Sequence, residues 1–185
     1  MSYVPLSQGN DLRNILSGAH LGYLAKVGDD AAVILRAHLM AEECLNLWVR
    51  KTTDCSEIFD RGMFQFRTKL DLARNLGLPE KISVAFERLN KIRNRFAHRL
   101  DAASIQQGEL EAFKNSVEAI ETKPALGEWG DHIDAGIPKD GVLLKYSAPD
   151  TDDRQKVSII MDVLMGKIFL VYQEEFKIRN IPLQL

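Results

Sequence analysis

Between residues 33 and 49 the apolar side chains Val33, Ile34, Ala37, Met40, Ala41, Cys44, Leu45, Trp48 and Val49 recur at helical steps and cover a wide face. A helix this apolar over so much of its girth needs neighbours on several sides. It belongs at the centre of a bundle rather than on a surface. Asp29 and Asp30 supply side-chain acceptors where a first turn needs them, so a helix is predicted over about 30–51.

The other segments follow the same logic. Asn10 or Asp11 can begin a short helix reaching about His20 or Lys26, with Gly22 and Gly28 as weak points. Met63 to Leu76 carries Phe64, Phe66, Leu70 and Leu72 and is stopped by Gly77 and Pro79. Pro79 suits a helix start, and Phe86, Leu89, Ile92, Phe96 and Leu100 then mark a helix over about 79–100. Another is predicted over about 104–122, with Glu109 and Glu111 as ordinary exposed charges. From 123 to 150 the chain changes character: Pro124, Gly127, Gly130, Gly136, Pro138, Gly141 and Pro149 break any helix. Pro138-Lys139-Asp140-Gly141 is a turn signal between two short apolar runs, which allows a small β-hairpin or a long irregular loop. A last helix over about 151–176 carries Val157, Ile160, Met161, Leu164, Ile168, Val171 and Tyr172, and Pro182 prevents its extension. The expected fold is all-α, an up-and-down bundle of about five to six helices. It forms a single domain over 1–185, with a core of about 10–122, the last helix returning to it, and an irregular insert at 123–150.

Composition narrows the function. A chain of 185 residues, 45% hydrophobic, can bury one core. A net charge of −2 does not advertise nucleic-acid binding, so any such affinity must be local and salt-sensitive. Cys44 and Cys55 are the two cysteines, at no metal-type spacing, and Cys44 reads as core, which fits a reducing cytosol. Residues 1–10 lack a basic start and an apolar run, and no segment approaches ~20 continuous apolar residues. The expected location is therefore the cytoplasm, with no membrane partner. Glycine-rich phosphate loops, GxSxG and Cys/His nucleophile pairs are missing from the sequence. His38 and Glu42, four apart, read as a local side-chain pair, since two ligands make no metal site. Asp131, His132 and Asp134 read as a solvated loop. No metal and no cofactor are expected.

The chemistry concentrates in Arg93-Asn94-Arg95-Phe96-Ala97-His98. At ~100° per residue, Phe86, Leu89, Phe96 and Leu100 fall within roughly 60° of Arg93, which puts a guanidinium inside the apolar stripe. Burying that charge alone costs several kcal/mol, so it needs a carboxylate, a subunit interface or a bound phosphate. Glu43 on the central helix is the preferred partner and Asp71 the alternative. Asn94 and His98 lie side by side, four apart. Arg88, Lys91, Arg95 and Arg99 form a basic ridge on the opposite side, with no acidic residue between 88 and 100.

Arg93-Asn94-x-x-x-His98, closing a bundle helix, resembles the Arg-x(4–6)-His signature of HEPN domains (higher eukaryotes and prokaryotes nucleotide-binding). The stretch from Phe64-x-x-x-x-Lys69-Leu70 through Leu76-Gly77-Leu78 to Leu89-Asn90-x-x-Arg93-Asn94-x-x-Ala97-His98 is similar to the mannitol-repressor branch of that group, as is Glu43-x-x-Asn46-Leu47. Roughly residues 10–120 take part. The resemblance implies a dimerising helical bundle that in many members is a metal-independent endoribonuclease, whereas the mannitol-repressor branch often carries a weakened motif and regulates instead. Arg93, Asn94 and His98 are all present here. Members silenced by a nucleotidyltransferase usually carry Tyr two residues after the His; this chain has Leu100, so such modification is not implied.

These groups suffice for RNA cleavage at its own 2′-hydroxyl. An imidazole with a reference pKa near ~6.5 serves as base or acid, which is the role expected of His98. The planar, permanently charged fork of Arg93 matches phosphate oxygens, and Asn94 can orient His98 or bind the phosphate. On one helix Arg93 and His98 project about 140° apart, so a composite site is predicted on a two-fold homodimer seam, Arg from one chain and His from the other. Arg88, Lys91, Arg95 and Arg99 would guide single-stranded RNA, with Glu43 holding Arg93 ready. The reading is an endoribonuclease of toxin or defence type, with an antitoxin or regulatory protein as partner. Its alternative is a non-catalytic, mannitol-repressor-like regulatory dimer that binds protein.

Overall fold

A computed structural model of the chain describes residue 24 and residues 28–60, 62–98, 104–123, 137–139 and 142–182. The protein is an all-α helical bundle: α1 (Asp30–Thr53), α2 (Phe66–Asn75), α3 (Glu80–His98), α4 (Gln107–Glu118) and α5 (Asp153–Ile178). The short strands β1 (Ile137–Lys139) and β2 (Val142–Leu144) pair antiparallel, with Pro138 opposite Leu143, so the turn signal makes a hairpin. The helix expected over about 10–26 lies outside the described residues except for Leu24, which is buried in the core.

Helix α1 occupies the centre, packing on α2, α3 and α5, while α4 closes the ring between α3 and α5. Asp29 caps it as predicted, its carboxylate accepting the Ala32 N–H at 2.8 Å. It ends at Asp54, in the left-handed region (φ 50°) that a short polar side chain tolerates. Trp48 stacks on Phe176 (5.1 Å between centroids) and meets Tyr172 (5.0 Å), and the Tyr172 hydroxyl donates to the Cys44 carbonyl at 3.0 Å. Cys44 is fully buried, with its sulfur 3.8 Å from that of Met165, which is the core role expected of it. A capping box starts α5: Asp152 accepts from the Gln155 N–H (2.8 Å) and Gln155 from the Asp152 N–H (3.0 Å).

Two polar ties were unforeseen. The Lys167 ammonium, buried within α5, donates to the carbonyls of Val117, Glu118 and Ile120 at 2.9–3.2 Å and so satisfies the C-terminal end of α4. Arg179, just beyond α5, donates to the carbonyls of Leu76 (2.8 Å) and Gly77 (3.0 Å) in the turn between α2 and α3. Gly77 has φ +80°, and a Cβ there would lie 2.7 Å from the Arg179 guanidinium. The positive φ strains any side chain there, and a Cβ would also oblige the Arg179 guanidinium to shift from its carbonyls. Gly77→Ala is expected to cost about 1–3 kcal/mol, read as a lowered urea midpoint at unchanged slope.

Candidate functional site

Helix α3 carries the site because its first turns are firmly held. Glu87 accepts from Arg67 (2.8 Å) and Arg74 (2.9 Å) of α2, and the Arg74 guanidinium beside it holds its carboxyl below the usual range. Phe86, Leu89 and Ile92 bury one face of α3. Arg93 emerges at the edge of that face, half-buried, and donates through Nη1 to the Asn94 Oδ1 at 3.0 Å. Asn94 is likewise half-buried, and α3 runs on to His98, whose side chain lies outside the described residues.

The expected carboxylates do not take Arg93. Glu43 is half-buried, accepts from Asn46 Nδ2 at 3.1 Å, and is pushed up by its burial. Asp71 is held by Arg67 at 3.1 Å and by Arg74 at 3.5 Å. Among the described residues no carboxylate pairs with Arg93. The physical reason lies in α1, where Glu43 sits one turn from Asn46 and finds a local donor before one on another helix.

The basic ridge is narrower than expected. Arg88 and Lys91 are exposed on α3. Arg95 is not on that ridge: it donates to Glu109 of α4 at 2.8 Å, both side chains nearly buried, and lies over the Phe96 ring at 4.7 Å. Glu109 is therefore an interhelical anchor, and Glu111 accepts from the Tyr146 hydroxyl at 2.7 Å, so neither is the plain exposed charge anticipated. Arg99 falls outside the described residues, as do Asp131, His132 and Asp134.

His38 is the residue that sequence reasoning undervalued. Instead of pairing locally, His38 and Glu42 each reach another helix: Glu42 takes Lys69 of α2 at 2.8 Å, and His38 Nε2 lies 3.0 Å from Asn90 Oδ1 of α3. Since that oxygen only accepts, Nε2 carries the hydrogen and donates. The His38 ring also tilts against Phe66 of α2, 4.2 Å between centroids. Its place within the apolar face of α1 was visible, whereas its partner 52 residues away was not. Burial pushes its imidazole below the ordinary value, and the Arg93 charge adds to that, against the Asn90 bond and Glu42. A depressed His is neutral when folded, so the unfolded chain binds the extra proton below about pH 6.5. Stability is thus expected to be full above that pH and to fall as pH drops, by at most about 1.4 kcal/mol per unit. Denaturant melts between pH 7.5 and 5.5 check this, and His38→Gln should flatten the slope.

Among the described residues no three or more His, Cys, Asp or Glu gather to hold a metal ion. Among those residues, too, no helix is long and apolar enough to cross a membrane. Comparison with known proteins finds no matching family model, curated protein or solved structure.

Proposed function

We propose that the chain is a metal-independent endoribonuclease of toxin or defence type, built on a HEPN-like bundle and acting in the cytoplasm as a homodimer on single-stranded RNA. The observation that carries this reading is Arg93. Its guanidinium is half-buried and donates one hydrogen bond, from Nη1 to the Asn94 Oδ1, with no carboxylate partner among the described residues, whereas Arg67, Arg74, Arg95 and Arg179 each hold one. A part-buried cation that none of the described carboxylates engages is suited to receive an anion, and its planar fork fits phosphate.

The reaction needs four parts. An imidazole, His98, takes the 2′-hydroxyl proton as that oxygen attacks phosphorus. The charge on the phosphorane is met by Arg93, and Asn94 keeps the fork directed. The bond to the 5′-oxygen breaks, and that oxygen leaves with a proton from the second imidazole of the dimer or from water. The products are a 2′,3′-cyclic phosphate and a 5′-hydroxyl. Arg88 and Lys91 lie exposed for the RNA backbone, so binding should weaken steeply with salt.

A second reading has its own support. Leu35 and Leu39 stand four apart on α1 and are 48% and 41% exposed. Such a pair suits a protein partner, as a mannitol-repressor-like regulatory dimer or a toxin held by an antitoxin would require. The deciding assay is cleavage of varied RNAs in excess EDTA by the purified protein, with Arg93→Ala and His98→Ala alongside. Cleavage that both substitutions abolish, with helical content intact, supports the nuclease. Intact RNA across substrates and salt concentrations supports the regulator.

A further inference from the structure

Three helices meet around the His38 ring, one turn of α3 from Arg93. Phe66 of α2 braces the His38 ring, His38 of α1 donates to Asn90 Oδ1, and Asn90 lies one turn before Arg93 and Asn94 on the same side of α3. His38 is 4% exposed, Asn90 and Arg93 are half-buried, and the bond between His38 and Asn90 spans two helices that also carry the buried apolar residues Ile34, Ala37, Ala41, Phe86 and Leu89. A directional bond inside an apolar contact sets rotation and register, which close-packed hydrophobic surfaces set less sharply.

We propose that His38 is a positioning residue of the Arg93 site, fixing through Asn90 the face of α3 from which the guanidinium reaches its anion. This rests on the reading of Arg93 as a phosphate-binding group. It assigns no proton transfer to His38, whose single described hydrogen bond is spent on Asn90. The charged groups facing the ring are Glu42 on its own helix and Arg93 on α3; Lys69 of α2 is committed to Glu42, and the α2 side chain against the ring is the apolar Phe66. Burial keeps the ring neutral; of the two charges, Glu42 favours a proton there and Arg93 opposes it, so protonation of His38 would be felt at Arg93.

The test compares His38→Phe, which keeps the ring against Phe66 and loses the donor, with His38→Gln, whose amide nitrogen reaches as Nε2 does. Two readouts are taken on the full chain: RNA cleavage, and the side-chain 15N resonances of Arg93 as pH falls from 7.5 to 5.5. His38→Phe is expected to shift the Arg93 resonances and lower kcat about tenfold or more, with KM little changed and the fold retained. His38→Gln should restore most of the rate while removing part of the pH response at Arg93. Unchanged Arg93 resonances and an unchanged rate in folded His38→Phe would overturn the proposal. If His38→Phe does not fold, the glutamine variant decides: Arg93 resonances that move with pH as in the parent overturn positioning, and a reduced movement supports it. Should the parent cleave no RNA, the nuclease reading fails alone, since the resonances still report whether His38 sets Arg93.

Discussion

Mixing Arg93→Ala protein with His98→Ala protein, each inactive by itself, is expected to restore about a quarter of the parental cleavage rate. In a randomly exchanged dimer population about half the molecules are mixed, and in each of those one of the two composite sites pairs an intact Arg93 with an intact His98. The single substitutions should each lower kcat by 10²- to 10⁴-fold, roughly what a lost electrostatic stabiliser or acid-base group removes. Subunit exchange under mild denaturant followed by cleavage in EDTA gives the measurement. No recovery on mixing, with dimers demonstrably exchanged, would place both groups of a site on one chain. The composite geometry would then be lost even if the nuclease were real.

Trp48→Ala should be the most damaging single change to stability, at about 3–5 kcal/mol. The indole is fully buried, faces both Tyr172 and Phe176, and carries the Arg179 guanidinium 4.9 Å from its ring. Its Nε1 is buried with no hydrogen-bond partner. Trp48→Phe therefore removes an unsatisfied donor along with some volume, and should cost far less, about 1 kcal/mol. Urea unfolding followed by circular dichroism separates the two. Near-equal losses would show that the particular shape of the indole, rather than ring volume in general, sets stability at this position.

What could be read from the sequence follows from the range of the forces involved. Helix α1 declared itself because its cap, Asp29, and its apolar rows are local, and the same is true of the apolar rows of α3 and α5. Buried polar residues did not. Nothing near Arg95 in sequence says that Glu109 will take it, so it was assigned to an exposed ridge by helical phase alone. Nothing around Lys167 in sequence marks its role, because the carbonyls it satisfies lie at the end of α4, 47–50 residues earlier. Glu43 was matched to Arg93 across the bundle, whereas Asn46, three residues on, holds it. Periodicity fixes which side of a helix faces inward. It does not choose between donors once there, and that choice decides where a charge is left available.

The clasp that Arg179 makes on the Leu76 and Gly77 carbonyls has a bearing on synthesis. Chains emerge from the ribosome N-terminus first, so α1 to α4 are made before the residue that fastens the turn leading into α3. Ile160, Leu164, Ile168, Tyr172 and Phe176, which line the same wall of the core, arrive equally late. A nascent chain thus lacks the fastening of this turn, which leads into the helix bearing Arg93, until α5 and Arg179 have emerged.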